Sequence, residues 1–129
     1  NLIKNVWYNA IYKEKDDETD KYTRPDGYFV SDFNDALGNL FVDSSFSSKI
    51  DSIDKNQDTV NSLMKKLKNP PEECKDAYDA LSDFYDAYLA LTGCATDPSG
   101  SLQTYSSTFN DADTDTLNAY KAMQQYLGD

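Results

Sequence analysis

Four aspartates, Asp76, Asp79, Asp83 and Asp86, recur every three or four residues, the spacing that lines side chains up along one face of a helix. A carboxylate ladder of this kind is one way to gather a divalent cation or to set up acid–base chemistry. On the same helix, however, Leu81, Phe84 and Tyr88 fall roughly opposite the acids, so the periodicity that aligns the carboxylates turns them to solvent. The ladder is therefore expected to be a solvated face.

Two further stretches imitate calcium loops. Asp54-Lys55-Asn56-Gln57-Asp58-Thr59 and Asp111-Ala112-Asp113-Thr114-Asp115-Thr116 place oxygen ligands at loop positions 1, 3 and 5. Position 6 is Thr in both, where the sharp turn needs Gly. Position 12 is Lys65 in the first and Ala122 in the second, so the closing bidentate carboxylate is missing. No metal ligand is assigned.

The chain has no histidine, which removes His-based triads, the usual zinc and haem ligand sets and the commonest neutral-pH acid–base group. Cys74 and Cys94 are the strong nucleophiles that remain, and neither has an imidazole to activate it. Cys74 falls on an apolar helix face and reads as a packed core thiol. If one helix runs from Pro70 to Thr92, twenty steps separate the two cysteines by about 30 Å, so a bridge between them is not expected. Leu91-Thr92-Gly93-Cys94 matches a bacterial lipobox, but it follows a helix carrying Asp83 and Asp86 deep in the chain, which is the wrong context. Carboxylate pairs of the glycosidase kind are defined by separation in space, and no sequence feature marks one. No catalytic residue is assigned, and no cofactor is expected.

These residues must be positioned by one domain of 129 residues, long enough to bury roughly two thirds of its unfolded surface without staples. Its 12 basic and 23 acidic side chains give a net charge of −11. The only basic cluster is Lys65-Lys66-Leu67-Lys68, so phosphate backbones and anionic leaflets are both disfavoured as partners. Apolar runs such as Tyr88-Leu89-Ala90-Leu91 fall far short of the ~20 residues of a membrane span.

The strongest periodicity is a heptad ladder at Phe46, Ile50, Ile53, Gln57, Val60, Met64 and Leu67, stopped by Asn69-Pro70-Pro71-Glu72. Ahead of it, Phe29, Phe33, Ala36, Leu37, Leu40 and Phe41 follow helical spacing, with a phase slip around Asp43 to Ser45. One long, bent second helix is favoured over two broken at that point. A first helix runs to about Lys15 on the doublets 2/3, 6/7 and 10/11, and leads through a polar stretch, the best candidate for a mobile loop, to the turn Arg24-Pro25-Asp26-Gly27. A third helix is expected from Pro70, capped by Asn69 and Glu72, to a stop at Gly93. Asp97-Pro98 repeats the cap-plus-proline pattern before a fourth, weakest at Asp111 to Asp115. Short connections make the second, third and fourth helices antiparallel neighbours, and the first packs on part of the second. The expectation is an all-α, elongated up-and-down bundle of about four helices, with residues 1–129 as a single domain.

The first apolar stripe begins at Leu2, which reads as a start in mid-helix after removal of a leader. Together with the abundance of Lys, Asn, Asp, Ser, Thr and Tyr, the acidic balance and the sparse cysteine, this resembles the uncharacterised helical modules of secreted proteins and lipoproteins of Gram-positive bacteria. The resemblance implies a cell-surface location and a lipid-anchored parent. It implies nothing about a ligand; from the residues themselves, with no histidine and no catalytic motif, the expectation is a non-catalytic spacer or protein-binding module whose Tyr-rich surface near Tyr8, Tyr12, Tyr22 and Tyr28 is the contact region. The alternative is a carboxylate-based cation-binding protein or hydrolase built on the Asp-rich helix surfaces. A concave cleft with convergent carboxylates would favour the alternative; a convex bundle with solvated acids would favour the module.

Overall fold

Asn1 opens the first helix as its N-cap, its side chain accepting from the Lys4 N–H at 3.2 Å. Leu2 falls in the first turn of this capped helix. A computed structural model describes residues 1–127, which form six α-helices and one 3-10 turn at Glu72–Cys74, with no strand among the described residues. The helices are α1 (Leu2–Tyr12), α2 (Asp20–Thr23), α3 (Phe33–Val42), α4 (Ser44–Lys66), α5 (Lys75–Thr96) and α6 (Leu102–Gln124). The all-α class is as expected, but six helices replace the expected four.

The long second helix is divided at Asp43. This residue leaves helical geometry (φ −63°, ψ 123°), and its Oδ1 accepts from the N–H groups of Ser45 and Phe46 at 2.9 and 3.2 Å. The phase slip thus marks an N-cap, because a new helix starting at Ser44 needs its orphan donors satisfied. Phe41 and Phe46 meet edge to face across the corner, 5.2 Å between centroids.

The chain divides into two compact units, residues 1–51 with 100–106 and residues 52–99 with 107–129. In the first, α1 turns Ile3, Val6, Trp7 and Ala10 inward against α3, which contributes the fully buried Ala36 and Leu40. Trp7 lies between Phe33 (5.8 Å) and Tyr105 at the start of α6 (5.5 Å). The stretch expected to be a mobile loop instead holds α2, with Thr19, Tyr22 and Thr23 buried. Its anchors are polar: Asn9 donates to the Thr19 hydroxyl at 3.0 Å, and Asn39 to the Tyr22 carbonyl at 3.0 Å. The Arg24–Gly27 turn is present, closed by the Gly27 N–H on the Arg24 carbonyl at 3.0 Å, with Gly27 at φ +87°.

In the second unit α4, α5 and α6 run antiparallel in sequence order, as the short connections predict. Asn61 pairs with Tyr85, Asn56 with Tyr88, and Gln57 donates to the Thr92 hydroxyl at 2.7 Å. Between α5 and α6, Thr116 donates to the Ala87 carbonyl at 3.1 Å, and Phe84 meets Tyr120 at 5.8 Å. Only Cys94 and Ala112 are buried among the described residues of this unit; in the heptad ladder inside it Ile53, Gln57, Val60 and Met64 are partly buried and Leu67 is exposed.

Several expected boundaries move: α1 ends at Tyr12 and not near Lys15, with Lys13 as its left-handed C-cap. Asn69 adopts a left-handed conformation (φ 64°) after α4 and does not cap α5, so the prolines lie in the connection and the 3-10 turn precedes the helix. Gly93 does not stop α5, which continues to Thr96, because nothing there requires a positive φ. The start of α6 is capped by a reciprocal pair and not by Asp97-Pro98: Thr104 N–H donates to Ser101 Oγ at 3.1 Å, and Ser101 N–H to Thr104 Oγ1 at 2.9 Å. The aspartates at 111–115 leave α6 unbroken.

Candidate functional site

The first unit carries a cluster in which acid, base and phenol meet. Tyr22 donates to Asp43 Oδ2 at 3.2 Å, and the Lys21 ammonium lies 3.6 Å from that oxygen and 5.0 Å over the Tyr22 ring. They edge an open hollow of about 380 Å³ that also involves Asp17, Glu18, Phe46 and Lys49. Sequence reasoning missed this cluster. Its local signal was the Asp-Ser-Ser run at the phase slip, and the separation of 21 positions from Tyr22 to Asp43 is closed by folding.

Both oxygens of Asp43 are committed, Oδ1 to the α4 backbone and Oδ2 to Tyr22 and Lys21. The backbone N–H of Phe46 first, then Lys21, Tyr22 and Ser45, hold its carboxyl below the usual range. Lys21 is held above its ordinary value, first by Tyr22 and then by Asp43. A carboxylate that stays ionised and fully used is a helix cap, not a general acid or base at neutral pH. Because the folded pKa of Asp43 is depressed, its contribution is present above the unfolded value of about 3.9 and lost as pH falls through the lower folded value. Asp43→Asn should therefore be less stable than the parent at neutral pH, with the gap closing as pH is lowered toward about 2. Thermal melts of both proteins between neutral and acidic pH check this; a gap independent of pH would contradict it.

Asp76, Asp79, Asp83 and Asp86 are all exposed on α5, and Asp79 pairs with Lys75 at 2.8 Å. The calcium-loop mimics at 54–59 and 111–116 lie inside α4 and α6, where residues two apart point away from one another. Among the described residues no group of three His, Cys, Asp or Glu side chains is arranged to hold a metal ion. No helix among them is long and apolar enough to cross a membrane.

Cys74 is exposed and not a packed core thiol. It sits at the N-cap of α5, one residue before the helix whose apolar stripe it was expected to join. Cys94 is the buried cysteine; burial raises its pKa, and its sulfur lies 3.5 Å from the Ala90 carbonyl. The two are not bonded to each other and lie near opposite ends of one continuous helix. At low micromolar protein concentration, Cys74 should alkylate at least about a hundredfold faster than Cys94, which must wait for local opening. Mass mapping of partially alkylated protein gives the ratio, and equal rates would contradict it.

The aromatic region fares differently. Tyr8 and Tyr12 are 45% and 58% exposed with Ile11 at 40%, forming one outward stripe on α1 with the two tyrosine rings 4.5 Å apart. Tyr28 is also exposed. Tyr22 is buried and belongs to the Asp43 network, so it drops out of the expected contact region. Against known proteins, the chain matches no family model, no curated protein and no solved structure.

Proposed function

We propose that this chain is a non-catalytic binding module of an extracellular or cell-surface protein, engaging a protein or surface ligand through the outer face of α1. The observation that carries the reading is the Tyr8, Ile11 and Tyr12 stripe. It puts two contacting aromatic rings and an aliphatic side chain in solvent on the helix face opposite the buried Trp7 stripe. Tyrosine provides large, stiff, amphipathic contact area and is enriched in the anchors of protein interfaces. The location rests on the compositional resemblance described above.

The test is saturable binding of the labelled 129-residue chain to cell-envelope preparations, beside Tyr8→Ser/Tyr12→Ser. The double variant should bind at least about tenfold more weakly, with an unchanged circular dichroism spectrum and a melting temperature close to the parent's, since exposed side chains contribute little to stability. Binding unaffected by the substitutions, or no saturable binding by the parent, would refute the reading.

A further inference from the structure

The two ends of α4 are fastened differently. Its start is fixed in the first unit by the Asp43 cap and by Phe46 meeting Phe41. Residues 52–66 belong to the second unit, and none of them is buried. By contrast α5 and α6 each bury one residue, Cys94 and Ala112, and the first unit closes on a core that includes Val6, Trp7, Ala36 and Leu40. Where α4 ends the helices leave an opening, an apolar cleft of about 190 Å³ with Leu67, Cys74, Leu81 and Met123 among its walls. Segments with few buried apolar contacts open locally, at a cost well below that of global unfolding.

What ties residues 52–66 to α5 is largely polar. The Tyr85 hydroxyl donates to Asn61 Oδ1, the Tyr88 hydroxyl to Asn56 Oδ1, and Gln57 Nε2 to Thr92 Oγ1 at 2.7 Å. At a partly exposed seam such bonds are traded for bonds to water at little net cost, so they fix the register of the two helices more than they hold them together. Gln57 is also the one polar residue of the heptad stripe from Phe46 to Leu67. A lone polar side chain in such a stripe specifies alignment and lowers stability. Residues 52–66 are rich in Ser, Asp, Asn and Thr, and a segment of that length and composition does not hold a helix in water without a partner.

We propose that residues 52–66 are a releasable strap, latched to α5 by Asn56, Gln57 and Asn61, that leaves as a unit while α1, α3 and the α5–α6 pair stay folded. Release uncovers the side of α5 that carries Tyr85, Tyr88 and Thr92. The inference does not rest on the binding role of α1.

Hydrogen–deuterium exchange of the 129-residue chain, read by peptide mass spectrometry as protection factors, tests it. Central amides of 52–66 should be at least about a hundredfold less protected than those of α1 and α3, and at least about tenfold less than those of α5 and α6. Two variants act on the latch in opposite senses. Asn56→Ala/Asn61→Ala should lower protection in 52–66 at least about fivefold, and because alanine is the better helix former the loss cannot come from a weakened helix. Gln57→Leu completes the apolar stripe and should raise protection there about tenfold. Unchanged protection in α1 and α3 shows that both variants are folded. Protection of 52–66 equal to that of α1 and α3 would overturn the proposal, and so would opening of 52–66 at one rate with α5 and α6. Indifference to the two alanines, or a loss of protection in Gln57→Leu, would overturn it as well.

Discussion

Trp7→Ala should remove about 3–5 kcal/mol of stability, the range for truncating a large buried aromatic. Trp7 is 5% exposed and its ring contacts both Phe33 of α3 and Tyr105 in the first turn of α6. Close-packed surroundings relax only partly around a deleted indole, so the cost combines lost transfer energy with a cavity. For a domain of ordinary stability, about 5–15 kcal/mol, this is a large share of the total. Trp7→Phe separates packing from polarity. The indole Nε1 is buried with no hydrogen-bond partner, and phenylalanine removes that unpaired donor while keeping an aromatic ring between Phe33 and Tyr105. Its cost should stay below about 2 kcal/mol, part of the lost area being offset by relief of the unmet hydrogen bond. Urea unfolding followed by far-UV circular dichroism measures both, since the variants lose the only tryptophan. Equal losses for the two variants would show that the ring does not carry the packing.

Gly100→Ala should cost about 2–3 kcal/mol, although no apolar contact is removed. Gly100 sits at φ +82°, and an added Cβ would come within 2.5 Å of Thr104 Oγ1. That oxygen can rotate away, but only by giving up its bond from the Ser101 N–H, so the reciprocal cap of α6 is lost along with the backbone strain. Thr104→Ala removes the cap alone, and the double variant should therefore be less destabilised than the two single losses added together. Gly93→Ala provides the contrast. It lies inside α5 with open space around its Cβ direction, so alanine should stabilise the chain by up to about 1 kcal/mol through helix propensity. A destabilising Gly93→Ala would mean that α5 is interrupted there.

The helices were legible where periodicity carried the information. Phe46 to Leu67 defined α4, the doublets of the first twelve residues defined α1, and the spacing of Asp76 to Asp86 against Leu81 and Phe84 placed those acids in solvent. Boundaries were less legible, because a cap is decided by which competing side chain reaches the orphan donors. Asn69 and Asp97-Pro98 both look like N-caps, yet the first follows α4 in a left-handed conformation and the second is displaced by Ser101 and Thr104. At Asp43 the phase slip was visible, but bend and break were distinguished only by the two N–H groups that its carboxylate accepts.

Of the surface, sequence alone determined its charge, its lack of histidine and the outward turn of the α5 acids, since these follow from composition and helical geometry. Its pattern groups Tyr22 with Tyr8 and Tyr12 and makes Cys74 the packed thiol, both contrary to the structure, because apolar and amphipathic side chains carry no mark of which face another element will cover. Tertiary structure decided both pairs. Tyr22 is buried where Asp43, Asn39 and α3 close around α2, a set of contacts far apart along the chain. Cys94 is covered within the second unit, while Cys74 stays open at the start of α5 because that unit's helices leave a cleft there instead of closing over it.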